Sequence, residues 1–461
     1  MNSLILIGAM LISGILAIAS LFLLLKFRWP APAQWFIKSY VAALSPLLAV
    51  MSWLTFLIGL LNSSYVLVLI SLFEALVFTS YYIRVTNPPE PSTGFESAFG
   101  INWQKQLQPG QKKLFLSSRI FFKLPPVHRP RLEQNIAFAT IPGTNRKLLC
   151  DIWQPPLHVK PSGLAFIYMH GSAYYLLDKD FCTRPLFTHL ASQGHVIMDV
   201  AYRLAPETDF MGMVHDVQRA IVWMKDHDDK YGIDRKRIVL GGGSAGGHLA
   251  LLTAYTSHDL QFKSEELHDK DISVRAVASL YGPTDLAALY YHTNQHLIAQ
   301  SRNNEQKKKA SMQLPSWMAK RMGSEFHRLG FDKDFKNAGL MAPLLGGTPD
   351  ECPEEYDWFS PIHHVHPYCP PTFLMHGHHD VMVPVSSTIQ LHDLLKEKHV
   401  PTVMHILPQT DHAFDLILPA ISPSAHTAFY DLERFLALFV KNAYTPVIKL
   451  KKKQVHPLIY S

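Results

Sequence analysis

Apolar positions along the 461-residue chain follow two different rhythms. Up to residue 85 they run almost unbroken, over residues 4–25, about 41–61 and 65–83. Pro46 lies near the start of the second run and Asn62-Ser63-Ser64 precedes the third. Each run is long enough to cross a bilayer. The pattern predicts three spans, with a re-entrant hairpin as the alternative for the last two. Trp29, Trp35, Tyr40, Tyr81 and Tyr82 flank the runs as aromatics do at a membrane–water boundary. The first run has no basic leader and no A-x-A cleavage site, which argues for a retained anchor rather than a cleaved signal.

Residues 86–131 read as a connector, because Asn87-Pro88-Pro89-Glu90-Pro91 cannot continue a helix. Its stretch 114–124, with Phe115, Ile120, Phe121 and Phe122, either rests on the membrane surface or packs on the large domain. From residue 132 the rhythm shortens. Residues 135–141 and 147–153 flank Pro142-Gly143-Thr144-Asn145, a hairpin signal. Short buried strands are expected at 164–169, 195–200, 237–240, 274–280, 372–376 and 402–407. Between them, residues 181–193 and 248–255 read as helices, and Met213, Val217, Ala220, Ile221 and Met224 recur at helical spacing. This alternation predicts an α/β fold with a mainly parallel sheet covered by helices on both faces. In such sheets the active site lies at the carboxyl ends of the strands.

Composition narrows the function. Four cysteines without C-x-x-C spacing argue against a disulfide framework or a zinc site. A net charge of +6 is too diffuse, and too free of recognisable motifs, to suggest nucleic acid. Charge placement does suggest an orientation. Lys26, Arg28 and Lys38 lie between the first two spans, while Arg84, Lys105, Lys112 and Lys113 follow the third. Two crossings separate the clusters, so both share one side, which the positive-inside rule makes cytoplasmic. The large domain is then cytosolic. Glu74, in mid-span, is either a functional group or a protonated or helix-facing carboxyl.

The chemistry concentrates at strand ends. Gly242-Gly243-Ser244-Ala245-Gly246 fits G-x-S-x-G between a strand and a helix, the context of a nucleophile elbow. A phosphate-binding turn is the competing reading, but the P-loop lysine pattern and the G-x-G-x-x-G spacing are missing. His170-Gly171-Ser172-Ala173 follows the 164–169 strand, where backbone N–H groups can converge on an oxyanion. Tyr202 to Glu207 follows the next strand as a polar turn with a candidate Arg203–Glu207 pair. His376-Gly377-His378-His379-Asp380 and Asp411-His412-Ala413-Phe414 follow the last two strands. A metal at the first of these lacks a liganding pattern such as H-E-x-x-H. Ser244, Asp380 and His412 occur in the Ser…Asp…His order of an α/β-hydrolase.

This constellation resembles the hormone-sensitive-lipase-like group of α/β-hydrolase esterases over about residues 134–438. His170-Gly171-Ser172-Ala173 is similar to that group's H-G-G-G loop, Tyr202 to Glu207 to its Y-R-L-A-P-E segment, and Gly242 to Gly247 to its G-D-S-A-G-G elbow. Ser172 and Ala173 replace glycines, with side chains that narrow the acyl pocket, and Gly243 stands where the group commonly has Asp. The resemblance implies an α/β-hydrolase cleaving esters, with Ser244, Asp380 and His412 catalytic. Ala245 with Gly171, Ser172 and Ala173 would form the oxyanion hole, with no metal or organic cofactor.

The expected organisation is a membrane region over 1–85 and a connector over 86–131. A hydrolase domain comes next over 132–445, with an insertion at about 286–356, and then a basic tail over 446–461. The insertion carries Lys307-Lys308-Lys309, Trp317, Met318, Met322 and Phe326, and is either a lid or a peripheral excursion. The tail is solvated or touches anionic lipid. The expected partners are an ester, lipophilic or of short-to-medium acyl chain, and membrane lipid, with no nucleic acid. A deacetylase or amidase using the same triad, a non-catalytic ligand receptor and a transport or scaffold protein are the alternatives.

Overall fold

The computed structural model of the chain describes residues 2–26, 32–302 and 341–440. Three helices, α1 (Asn2–Leu24), α2 (Pro32–Leu61) and α3 (Tyr65–Val85), pack side by side. Each is long and apolar enough to cross a membrane. Their outward faces carry exposed Leu4, Leu11, Ile15, Leu54, Leu69 and Leu76, a surface suited to lipid rather than water. Glu74 turns inward instead. It is fully buried, and its Oε1 accepts the Ser13 hydroxyl of α1 at 2.8 Å.

Helix α2 begins at Pro32, ahead of the expected 41. Proline is tolerated in the first turn, where its missing N–H would be unpaired anyway. Lys38, expected between spans, therefore lies inside a helix and is fully buried. The connector packs on the domain. Leu116 is buried and its N–H donates to Glu433, the Leu124 N–H donates to the Ala420 carbonyl, and Arg119 pairs with Asp431. Ile120 and Phe122 of the same stretch point outward.

The domain is built on an eight-stranded sheet: β1 (Arg131–Thr140), β2 (Lys147–Gln154), β3 (Ala165–Met169), β4 (Val196–Ala201), β5 (Ile238–Gly243), β6 (Ala276–Leu280), β7 (Thr372–Gly377) and β8 (Thr402–Leu407). The order is β1-β2-β4-β3-β5-β6-β7-β8, with the β1–β2 and β2–β4 pairings antiparallel and the rest parallel. The crossovers supply α4 (Arg184–Ser192), α5 (Phe210–Asp226), α6 (Ala245–Tyr255), α7 (Leu286–Arg302) and α8 (Val385–Glu397), and α9 (Pro423–Ala437) closes the described part.

The period of two divides the strands between two cores. Ile167, Met169, Met198 and Leu240 face α5 and α6. Phe166, Tyr168, Val239 and Phe373 face the other core, which contains α9 and continues into Phe78 and Tyr81 of α3. Both faces being covered explains why the central strands read as unbroken apolar runs. The apolar helices thus share a core with the domain. Arg28, Trp29, Lys307 to Lys309, Trp317, Met318, Met322, Phe326 and the 446–461 tail lie outside the described residues.

Candidate active site

Strand β5 runs past the expected residue 240 through all three glycines, and Ser244 sits at the turn into α6. The turn is tight. A Cβ on Gly246 would lie 2.0 Å from the Met169 carbonyl oxygen, so only glycine lets α6 start against β3. Ser244 itself adopts φ 53°, a left-handed strain that a serine accepts only where the surroundings impose it. Its N–H is anchored on the Leu280 carbonyl at 2.9 Å, which leaves the side chain half-buried at the carboxyl ends of the strands.

His412 and Asp380 meet it there. Asp380 follows β7, is 1% exposed, and its Oδ1 accepts the N–H groups of Met382 and Val383, both at 2.8 Å. Its Oδ2 lies 2.7 Å from His412 Nδ1 and 3.1 Å from His376 Nε2. Burial pushes the Asp380 carboxyl up, but the two histidines outweigh it and hold the group well below the usual carboxylate range. An ionised Asp380 accepts, so Nδ1 carries the His412 proton and Nε2 is left to accept the Ser244 hydroxyl at 2.9 Å. The three groups expected from their order in the chain form one hydrogen-bonded line.

The 171–173 loop lies beside Ser244. A Cβ on Gly171 would come within 3.2 Å of the Ser244 Cβ. Among the described residues, the N–H groups of Gly171, Ser172 and Ala173 donate to no backbone acceptor, and Ala245 opens α6, where the first N–H groups have no partner in the helix. The Ser172 side chain turns to Tyr202. The residue is 3% exposed, and its hydroxyl lies 2.6 Å from the Tyr202 hydroxyl and accepts the Tyr174 N–H at 2.9 Å. Tyr202 in turn donates to the His170 carbonyl at 2.9 Å and stacks on the His170 ring. Burial lowers His170 to about 4, so it is neutral at pH 7.

Several expectations change. Arg203 does not pair with Glu207; its guanidinium grips Asp216 at 2.8 and 2.7 Å, while Glu207 pairs with Arg146 on the hairpin. Tyr81 and Trp35, expected at the membrane boundary, dock on the domain instead. Tyr81 meets the Thr410 hydroxyl at 3.2 Å, and Trp35 donates to the His412 carbonyl at 3.0 Å. The histidines around Asp380 diverge: His376 turns inward to Thr388 and His379 outward to Lys38. Among the described residues no group of three or more His, Cys, Asp or Glu side chains could hold a metal. The place of Gly243 has its own explanation. A Cβ there would be 2.7 Å from the Tyr281 hydroxyl, which donates to buried Asp415 while the ring packs edge-on against His412 at 4.6 Å. Tyr281 and Asp415 carried no local motif that pointed to them. A charged cavity of 340 Å³, lined by Arg146, Asp178, Lys179, Arg203 and Glu207 and also by Tyr202, includes none of Ser244, Asp380 and His412.

The sheet order and the Ser–His–Asp line at its strand ends define an α/β-hydrolase. Residues 150–326 match the BD-FAE family model, and residues 334–444 match that of the prolyl oligopeptidase family. The chain is homologous to mycobacterial esterases. It is 31% identical over 289 residues to "Probable carboxylic ester hydrolase LipM" of Mycobacterium tuberculosis, covering 62% of this chain and 57% of that protein. It is 28% identical over 287 residues to "Esterase LipC" of the same organism, covering 62% and 61%. The chain thus spans about six-tenths of the length of these relatives. Among solved structures, the thermophilic esterase Est2 of Thermogutta terrifontis aligns with a TM-score of 0.47 at 21% identity, over 67% of this chain and 91% of that one.

Proposed function

We propose that the chain is a membrane-anchored serine hydrolase that cleaves lipophilic carboxylic esters. The hydrogen-bonded line from Ser244 through His412 to ionised Asp380 carries this reading. His412 Nε2 takes the Ser244 proton as Oγ attacks the ester carbonyl, and Asp380 holds the imidazole in the tautomer that can do so. The N–H of Ala245 and those of the 171–173 loop receive the oxyanion, and the amino end of α6 adds its positive field. The new imidazolium gives its proton to the departing alcohol oxygen. Water deprotonated by the same nitrogen then cleaves the acyl-enzyme. These steps need no metal or organic cofactor.

The lipophilic part of the proposal rests on where the site lies. The acid and base loops are bonded to the domain-side ends of the apolar helices, at His378 by Lys26 and at His412 by Trp35. A bilayer crossed by α1 to α3 would put the site near its surface. Lys26 follows α1, Arg84 lies in the last turn of α3, and Lys105, Lys112 and Lys113 come after it in the chain, a distribution of positive charge that supports a cytosolic domain. The test is hydrolysis of chromogenic esters from acetate to palmitate by the detergent-solubilised protein, beside Ser244→Ala. Loss of activity in the variant, with an optimum on longer chains, is expected. Silence across the panel from folded protein would move the assignment to amide substrates or to ligand binding.

A further inference from the structure

His412 is held by its backbone from two sides. Its N–H donates to Asp411 Oδ1 at 2.8 Å, and its carbonyl accepts the indole N–H of Trp35 at 3.0 Å. The same Asp411 oxygen accepts the Val381 N–H at 3.0 Å, so one carboxylate ties the loop of the acid to the loop of the base. Asp411 is only 3% exposed. Burial, and then the neighbouring Asp380 charge, push its carboxyl up to about 6, and the positive charge of Lys38 pulls against them. The two loops also touch at His379, whose N–H donates to the Thr410 carbonyl at 2.9 Å, so a cation bonded to His379 belongs to the same loop pair as both carboxylates.

That cation comes from the membrane region. Lys38 lies one helical turn beyond Trp35 on α2 and is fully buried. Its ammonium donates to the Leu25 carbonyl at 2.6 Å and meets His379 Nδ1 at 2.7 Å, in the loop that carries Asp380. A charge within an apolar helix costs several kcal/mol unless something compensates it, so its presence calls for a function. Lys26, His378 and Arg84 are further basic groups at this end of the bundle among the described residues, and the Lys26 ammonium donates to the His378 carbonyl.

We infer that Trp35 and Lys38 are positioning residues of the active site: the indole fixes the backbone of the base, and the ammonium balances the Asp411 carboxylate that joins the two catalytic loops. Helix α2 is then part of the catalytic apparatus as well as an anchor. The inference rests on the triad reading above, and the test separates the two.

The full-length protein in detergent is assayed on a soluble short-chain ester, as Lys38→Met, Asp411→Asn, the double variant, Trp35→Phe and Ser244→Ala. Lys38→Met lowers kcat by about tenfold or more with KM within about twofold, because misplacing the base slows the chemical step rather than binding. Asp411→Asn is milder, since the amide oxygen still accepts both N–H groups and needs no cation. The double variant returns to the level of Asp411→Asn alone, a non-additivity that a merely structural lysine would not show. An unchanged kcat in Lys38→Met, or a double variant as slow as the two losses multiplied, overturns the inference. Should Lys38→Met fail to accumulate, Trp35→Phe keeps the ring and loses the N–H: kcat falls about threefold to tenfold, on the same argument from geometry, and an unchanged kcat overturns the inference. Activity surviving in Ser244→Ala would instead remove the triad reading beneath it.

Discussion

Removing the Ser172 hydroxyl should slow catalysis without weakening substrate binding. In the folded chain that hydroxyl accepts the Tyr174 N–H at 2.9 Å and lies 2.6 Å from the Tyr202 hydroxyl, which donates to the His170 carbonyl. Both ends of the 170–174 loop are thereby fixed to β4's end. Ser172→Ala strands the buried Tyr174 N–H, at a stability cost of about 1–3 kcal/mol. Tyr174 and Ala173 sit at φ 68° and 47°, a strained conformation that the lost bond helped hold. The loop's N–H groups then drift from where an oxyanion forms. Full loss of one such donor costs about 10² to 10³ in kcat. A loosened donor should cost less, about tenfold to a hundredfold, or roughly 1.4–2.7 kcal/mol of barrier. The assay is steady-state hydrolysis of a soluble ester beside urea unfolding, for Ser172→Ala, Tyr202→Phe and the pair. KM should stay within about twofold, and the pair should be no slower than the worse single variant, because both act through one loop. Wild-type kcat in Ser172→Ala would refute the claim that this hydroxyl holds the loop.

Two further outcomes stem from burial. Gly246→Ala puts a Cβ 2.0 Å from the Met169 carbonyl oxygen, against backbone that cannot yield cheaply, so the variant should lose folded protein or nearly all activity; near-normal yield and rate would contradict the elbow geometry. Stability should fall on acidification. Burial holds His170 and His248 down to about 4 and His195 to about 3, so their contribution is complete above the ordinary value of 6.5 and is lost as pH drops through the folded values. Asp411 and Asp415, pushed up to about 6 chiefly by burial, work in the opposite sense and gain stability as pH falls from about 6 towards 4. Burial also raises Asp199, but it lowers ten histidines in all against these three aspartates, so the urea midpoint should drop between pH 7 and pH 5, and more steeply in Asp415→Asn. A midpoint that rises over that interval would contradict the assignment.

Much of the fold and the site was legible in the chain because it is local. Period-two runs ended by small residues located the strands, and a glycine-flanked Ser244 announced its own turn. The order of Ser244, Asp380 and His412 pointed to one site because each follows a strand of a parallel sheet. What stayed hidden depends on contacts between distant residues. Lys38 looked like a loop charge because a lysine is costly inside an apolar helix, and the compensation comes from His379 and Asp411, more than three hundred residues away. Arg203 and Glu207, four residues apart, suggested each other, yet each found a better-placed partner elsewhere. Ser172 looked like added bulk beside the nucleophile, and only the position of Tyr202 shows that its hydroxyl turns away. Tyr281 and Asp415 explain why Gly243 needs no side chain, and nothing near Gly243 in the chain indicates it.

The central claim is that Ser244 is a nucleophile activated by His412. Its most direct test is covalent: the solubilised full-length protein is incubated with a fluorophosphonate, digested, and the modified peptide located by mass. Attack by the serine oxygen forms an O–P bond and expels fluoride, so the account predicts one adduct per chain, on Ser244, and none in His412→Ala. An unmodified Ser244 in folded protein, or equal labelling without His412, would contradict it.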